Sequence, residues 1–404
     1  MYDGFLSAQS KKQLHHVFEN CEIHDWSYTE NVYKDTFNRS IYEDFTITGE
    51  SKTPIGSGSI GQVYKLWSPK HNKYVAIKVK HPNVDHVATV FVKNITCLLT
   101  FCQYFYKIPF ALVIKEFLSN VILQLDYKHE ADNLCRMRSN FASEKHIVIP
   151  EVLESSPRII IMTYHNGVSF LDITDSALRS RVACDVYMFS TTSLVCHDFV
   201  HCDMHFGNWK VDLDTQQIII YDCGIVGSTG RLETNKNVFL ASFENDYKKI
   251  AEAVVPNFEK LKEGRMIAQY IDKLSSTPYD NPVDRFADFI KKVFESGISV
   301  DSNALRCVQG LMLCMTTMLI STRHLIMILE GRYGVAMEVF LCYTHGLLEK
   351  IGKYSELKLK IEEWIRNDPN IESKFTSWLD DTFGHADKDV FIEVLEKHHY
   401  PPLN

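Results

Sequence analysis

His201-Cys202-Asp203-Met204-His205-Phe206-Gly207-Asn208, followed after a hairpin-like stretch by Asp222-Cys223-Gly224, decides how this chain is read. Asp203 and Asn208 lie five residues apart, and Asp222 follows fourteen residues after Asn208. Between them, Trp209 to Leu213 and Gln217 to Tyr221 are apolar or β-prone runs around the polar Asp214, Thr215 and Gln216. That pattern predicts a hairpin carrying Asn208 and Asp222 back to one place. An amide and a carboxylate brought together supply hard oxygen ligands for Mg²⁺, and Asp203 is left to orient or deprotonate a nucleophile. The same residues also read as plain turn chemistry, because Asp, Asn and Asp-x-Gly are common in turns. Alone, the block does not choose between the two readings.

The spacing itself is close to that between the catalytic loop and the metal-binding loop of protein kinases. Upstream, Pro54-Ile55-Gly56-Ser57-Gly58-Ser59-Ile60-Gly61-Gln62-Val63-Tyr64 has the form Gly-x-Gly-x-x-Gly-x-Val between β-prone flanks. Gly56, Ser57, Gly58, Ser59, Gly61 and Val63 are candidate nucleotide contacts, since such a turn offers backbone N–H groups to phosphate oxygens. A dinucleotide fold would need a helix next, whereas Val63 to Trp67 continues as a strand. Twenty-two residues after Gly56, Val75-Ala76-Ile77-Lys78-Val79 sets one lysine in a β-branched strand, at the separation kinases use to hold the α and β phosphates. An edge-strand surface lysine would carry no such spacing.

Lys78 needs a carboxylate partner, yet no Asp or Glu occurs between Asp85 and Glu116. Residues 114 to 137 read as one helix, with Phe117, Val121 and Leu125 on one face and Asp126, Glu130 and Asn133 on another. Glu130 is the candidate partner; the alternative is a solvated face of an amphipathic helix.

Composition bounds the class. The 404 residues, 45% of them hydrophobic, suffice for a bilobal globular protein with real cores. A net charge of −8, without a basic patch interleaved with aromatics, argues against a nucleic-acid partner. Eleven scattered cysteines, an odd number with no Cys-x-x-Cys, point to reduced thiols. Cys202 and Cys223 adjoin the key acids and, with His201 and His205, evoke zinc, but the fragments lack paired ligand spacing and small buried cysteines are expected instead. The N-terminus reads as neither secretory signal nor Arg-rich transit peptide. Cys307 to Thr322 reads as a buried helix. Asn94 to Ile114, interrupted by Lys107 and Pro109, reads as a core helix, with an interfacial membrane anchor as the lesser reading. No feature fixes an oligomeric state.

Five blocks together, residues 58–64, 75–82, 125–133, 201–208 and 221–227, resemble the UbiB/AarF atypical kinase-like family, in particular its AarF domain-containing kinases with a glycine-containing nucleotide loop. The resemblance runs from about residue 20 to 250 and more weakly to about 330. It implies an α+β, bilobal protein-kinase-like fold with a β-rich N-lobe, a helical C-lobe and an added helical tail, binding ATP and Mg²⁺. By block, Lys78 contacts phosphates and pairs with Glu130, Asp203 is the catalytic-loop acid, and Asn208 and Asp222 hold Mg²⁺. The family's ties imply an ATPase or small-molecule kinase of ubiquinone or isoprenoid-lipid metabolism, a lipid or quinone-precursor ligand, peripheral membrane contact and a mitochondrial location. The rivals are a non-catalytic nucleotide- or lipid-responsive scaffold and a true protein kinase.

Departures bear on those rivals. The family's Lys-x-Gly-Gln motif has no counterpart before Gly56, and its Glu-x-Asp pair reads Gln124-Leu125-Asp126. The two changes fit each other, since a glutamate without the lysine would be left unpaired. Met204 and Phe206 stand where prolines are usual, and Thr163 replaces an acid. The expected organisation is an N-terminal extension over 1–50, an N-lobe over 51–166, a C-lobe over 167–335 and a helical tail over 336–404, with apolar stripes at helical spacing beyond Gly230.

Overall fold

The computed structural model describes residues 23–105, 111–236, 247–255, 258–276 and a few positions between 288 and 296. The buried helix expected over 307–322 and the helical tail expected over 336–404 lie outside the described residues. The chain divides into two compact units. One runs up to Gly167 and takes in Gly207–Asp212 and Ile219–Ile225; the other holds Val168–Phe206, Leu213–Ile218 and the chain from Val226.

The first unit is built on a five-stranded antiparallel sheet in the order β1-β2-β3-β6-β5, from β1 (Gly56–Ser57), β2 (Gly61–Ser68), β3 (Lys73–Lys80), β5 (Val152–Ser155) and β6 (Ile159–Thr163). Successive side chains on a strand point to opposite faces. Val75, Ile77 and Val79 of β3, with Tyr64 and Leu66 of β2 and Ile159 and Ile161 of β6, therefore fill one face. Val32 and Tyr33 of helix α1 (Trp26–Phe37), Ile41 of α2 (Ile41–Asp44) and Phe45 pack on the same core. Each such fully buried side chain contributes roughly 1.5–3 kcal/mol. The same alternation turns Lys78 to the opposite face.

Two helices follow β3: α3 (Val84–Phe105) and α4 (Ala111–Leu123). The described part of the expected 94–114 core helix is largely exposed, with Leu99 its buried residue. Leu99 and Leu118 close a small cluster with Val92, Ile95 and Ile114, while Val87, Phe91, Leu98 and Phe101 stay exposed. Among the described residues, one stripe of α3 meets an apolar neighbour in α4. Val84–Cys102 is long and apolar enough to cross a membrane, with only 6% of the tested stretch buried.

The single helix expected over 114–137 is also two. Chain direction changes at Gln124–Asp126, and α5 (Tyr127–Asn140) starts afresh with Asp126 as N-cap, its carboxylate accepting from Lys128 N–H at 2.9 Å. Asp126 therefore caps a helix rather than extending a polar face. Tyr127, Glu130, Ala131, Leu134 and Met137 recur at three- and four-residue steps and are all buried. A second sheet orders β4 (Ile147–Val148), β9 (Ile218–Ile220) and β8 (Trp209–Val211) as β4-β9-β8, so the expected pairing of 209–213 with 217–221 forms.

In the second unit, α6 (Ser176–Val195) leads to β7 (Val200–His201), which pairs antiparallel with β10 (Val226–Gly227). Further along lie α7 (Tyr247–Val254) and α8 (Lys262–Ser276). Both helices fall in the region beyond Gly230 where apolar stripes at helical spacing were expected.

Candidate active site

The site in the first unit begins with the hairpin of β1 and β2. Gly56 and Ser57 pair with Val63 and Gln62, and Gly58 N–H closes the turn on the Gly61 carbonyl at 2.9 Å. Gly56 and Ser59 are exposed and Ser57 is buried. Val63 stands opposite Lys78 in the β2–β3 register, which sets the two side chains on one face beside the turn. Gly61 has no room for a side chain: a Cβ there would sit 2.2 Å from the Tyr127 hydroxyl and 2.4 Å from the Val79 carbonyl oxygen.

Lys78 Nζ lies 2.9 Å from both Glu130 carboxylate oxygens and 2.8 Å from Asp222 Oδ2. Its positions in β3, one turn into α5 and two residues past β9 bring together side chains 52 and 144 residues apart. Glu130 is closed off at 3% exposure, whereas Asp222 keeps 31% of its side chain open. Burial works against the Lys78 charge, but Asp222 and then Glu130 overcome it and hold its pKa well above the usual value. Burial, reinforced by Asp222 and opposed by Lys78, pushes Glu130 up to about 7. Two carboxylates and one ammonium thus meet in a place poor in water, where burial works against every charge and the sign of each neighbour adds to or opposes it.

Asn208 is buried just ahead of β8, and its carbonyl accepts from Tyr221 N–H at 3.3 Å. The Tyr221 hydroxyl donates to the Gly207 carbonyl at 3.0 Å, fastening the start of β8 to the end of β9. One Asp222 oxygen accepts from Gly224 N–H at 3.0 Å, and Asn133 of α5 donates to the Cys223 carbonyl at 2.9 Å. The loop bearing Asp222 is thereby tied to the helix bearing Glu130. The oxygens of Asn208 and the half-open Asp222 are the donor type that suits Mg²⁺. The Cys223 thiol is fully buried and pushed up by burial, with Asp222 and Glu130 adding to the shift, which keeps it protonated.

Asp203 belongs to the second unit. Its backbone N–H donates to Nδ1 of the buried His201 at 3.1 Å, and its carboxylate lies 3.6 Å from His205 Nε2 with 35% of the side chain exposed. Cys202 is buried there, and Phe206 stacks on Phe170 at 5.4 Å.

Tyr127 escaped the reading of the sequence. Fully buried, it lays its ring 4.9 Å from Lys78 Nζ and its hydroxyl against Gly61, forming a floor shared by the lysine and the glycine turn. Burial raises its pKa. The available signal was position, three residues before Glu130 on the same helical face.

Residues 16–254 match the ABC1 atypical kinase-like domain. The chain belongs to the ABC1 atypical kinase-like family. Among curated relatives, the probable protein kinase UbiB of Shewanella sp. (strain W3-18-1) is 25% identical over 284 residues, covering 65% of this chain and 50% of the relative. The probable protein kinase UbiB of Cronobacter sakazakii (strain ATCC BAA-894) is 30% identical over 269 residues, covering 62% and 44%. The chain spans about half the length of the curated relatives it matches. In three dimensions it is similar to Rv3197 of Mycobacterium tuberculosis, solved in complex with erythromycin, with a TM-score of 0.53, 16% identity, and 78% of this chain and 85% of that one covered. That likeness concerns the fold. Membership in the ABC1 family, with its UbiB relatives, carries the α+β kinase-like fold expected from the five blocks.

Proposed function

We propose that the protein binds ATP with Mg²⁺ and acts as an atypical ATPase or small-molecule kinase of isoprenoid-lipid or ubiquinone metabolism. The observation that carries the reading is Lys78 held between Glu130 and Asp222, three residues remote in sequence that meet beside a glycine turn. In this reading Gly56 to Val63 line the phosphates, Lys78 steadies them, and Glu130 keeps Lys78 in place. Asn208 and Asp222 hold Mg²⁺, which when bound neutralises phosphate charge. Asp203, five residues before Asn208 in sequence, orients the acceptor hydroxyl or water. The work of these residues is positioning and charge neutralisation, the main demand of phosphoryl transfer. The exposed apolar surface of α3 supports a lipid-side partner and peripheral membrane contact. A mitochondrial location is part of the proposal and rests on the family resemblance.

A second reading, a nucleotide-responsive scaffold without catalysis, has one observation in its favour. Gln124, at the position of the family's first acid, packs close to Gly224, so that a Cβ on the glycine would meet its Cγ at 3.5 Å. The side chain nearest the loop of Asp222 on that side is thus neutral.

Mg²⁺-dependent ADP release by purified protein, with and without an isoprenoid-phenol lipid, separates the two. Catalysis predicts turnover that falls about a hundredfold or more in Asp203→Asn and in Asp222→Asn, because each removes a group used in the transition state. Absence of turnover, with ATP bound by the wild type and weakened in Asp222→Asn, selects the scaffold.

A further inference from the structure

A pair of imidazoles beneath the glycine turn has no part in the proposed chemistry. His81, the residue after β3, holds the turn three ways. Its N–H donates to the Ile60 carbonyl at 2.9 Å, its Nε2 lies 3.0 Å from the Gly58 carbonyl oxygen, and the same nitrogen lies 3.4 Å from Ser57 Oγ. On the far side of the ring, Nδ1 meets His24 Nδ1 at 2.9 Å, the rings crossing edge to face. His24 is itself fixed. Its Nε2 lies 3.0 Å from Thr29 Oγ1, its edge contacts Tyr28, and Gln62 clamps its backbone by accepting from the N–H and donating to the carbonyl, each at 3.0 Å.

Hydrogen-bond chemistry then assigns the protons. A carbonyl oxygen only accepts, so the His81 nitrogen facing Gly58 carries a hydrogen. The short contact between the two Nδ1 atoms admits one hydrogen, and one of the two nitrogens must accept it. A trans peptide points its C=O and N–H in opposite directions, and no cis peptide occurs among the described residues. With the Gly58 carbonyl drawn down to His81, the Ser59 N–H therefore faces away from the ring, and Ser59 itself is exposed.

We propose that His81 is a positioning residue of the nucleotide loop: oriented by His24, it holds the Gly58 carbonyl and so turns the Ser59 N–H outward to receive a phosphate oxygen. The inference rests on the nucleotide reading above. Without the tie, the peptide between Gly58 and Ser59 is free to rotate, because glycine tolerates both orientations, and the carbonyl oxygen would then oppose a phosphate.

Binding of ADP with Mg²⁺ and of adenosine to the full chain at neutral pH tests it, comparing wild type, His81→Leu and His81→Gln. Loss of one such hydrogen bond is worth about threefold to tenfold in affinity. His81→Leu should weaken ADP by that factor and leave adenosine, which has no phosphate, within about twofold; His81→Gln, which keeps an N–H donor, should restore ADP binding. Equal loss of ADP and adenosine in His81→Leu, or no loss of either, overturns the role of His81 alone. Failure of the wild type to bind ADP overturns the nucleotide reading together with it. Should His81→Leu not fold, ¹⁵N spectra of the wild-type imidazoles decide: the proposal requires a proton on His81 Nε2 and a change in that resonance with ADP but not with adenosine, and an unprotonated Nε2 overturns it.

Discussion

Two carboxylate centres, one in each unit, solve the same problem in opposite ways. In the second unit Asp198, at a positive φ of 44°, accepts from Ser228 Oγ, Thr229 N–H, Thr229 Oγ1, Gly230 N–H and Asn235 Nδ2 at 2.6–2.9 Å. Burial works to raise its pKa, but these donors prevail and hold it below the usual value. All are neutral and come from one short stretch, so the charge is met by dipoles and no counter-ion is needed. In the first unit Glu130 and Asp222 both contact Lys78, and burial, with Asp222 adding to it, raises the pKa of Glu130. A satisfied carboxylate fastens a turn. In the nucleotide reading, two carboxylates that both contact one ammonium are where the charge of a bound Mg²⁺ would add.

The largest effect that would sharpen this contrast is that of Lys78→Met. It strands two carboxylates in a poorly hydrated site, for which a loss of about 3–5 kcal/mol is expected at neutral pH. Denaturant unfolding measures it, and addition of Mg²⁺ should return part of the loss by supplying the missing charge. An unchanged midpoint would mean the cluster is better hydrated than its burial indicates. Next in size is Asp198→Ala, expected to cost about 2–3 kcal/mol by leaving several donors without their acceptor. Mg²⁺ should restore none of it, and recovery of stability by the metal would erase the distinction between the two centres. Smaller again is Glu130→Gln. It leaves one ammonium with one carboxylate, so unfolding should shift by less than about 1 kcal/mol while nucleotide affinity falls several-fold through a less constrained Lys78.

These residues also show what the sequence could and could not disclose. The turn from Gly56 to Val63 and the meeting of Lys78 with Asp222 are legible because these residues sit in short blocks with fixed spacing, and the pairing of β8 with β9 follows from two apolar runs around a polar turn. Glu130 was reachable only by elimination, after an acid-free interval. Apolar spacing carries across Gln124–Asp126 and hides the break there, where one helix ends at Leu123 and Asp126 caps the start of the next. For α3 the difficulty is different. Apolar content says only that a surface prefers to leave water, and the neighbours that cover it belong to tertiary structure. Tyr127 and His81 act through contacts with main-chain atoms of the glycine turn, which leave no periodic trace. Asp198 was passed over because its partners lie thirty and more residues away in otherwise ordinary polar sequence.

The smallest effect expected concerns pH and His24. Burial lowers its pKa from 6.5 to about 4, His81 adds to the shift, and Asp25 opposes it. Tyr28, Thr29 and Tyr64 complete the polar surroundings, with the Lys80–Asp85 ion pair on the chain flanking His81. Between those two values the unfolded chain takes up a proton that the folded one refuses, so unfolding becomes easier as the pH falls from 6.5 toward 4. One proton corresponds to a slope of at most about 1.4 kcal/mol per pH unit, and the half-exposed ring, partly screened by water, should give less. Carboxylates also titrate below about pH 5, which makes the comparison cleanest above it. Unfolding of wild type and His24→Leu measured between pH 6.5 and 5 should give curves that converge as the pH falls, the wild type losing stability and the variant staying nearly flat. Parallel curves would show that the ring is protonated at no cost in the folded chain, and that the one-hydrogen contact between His24 and His81 does not hold in solution.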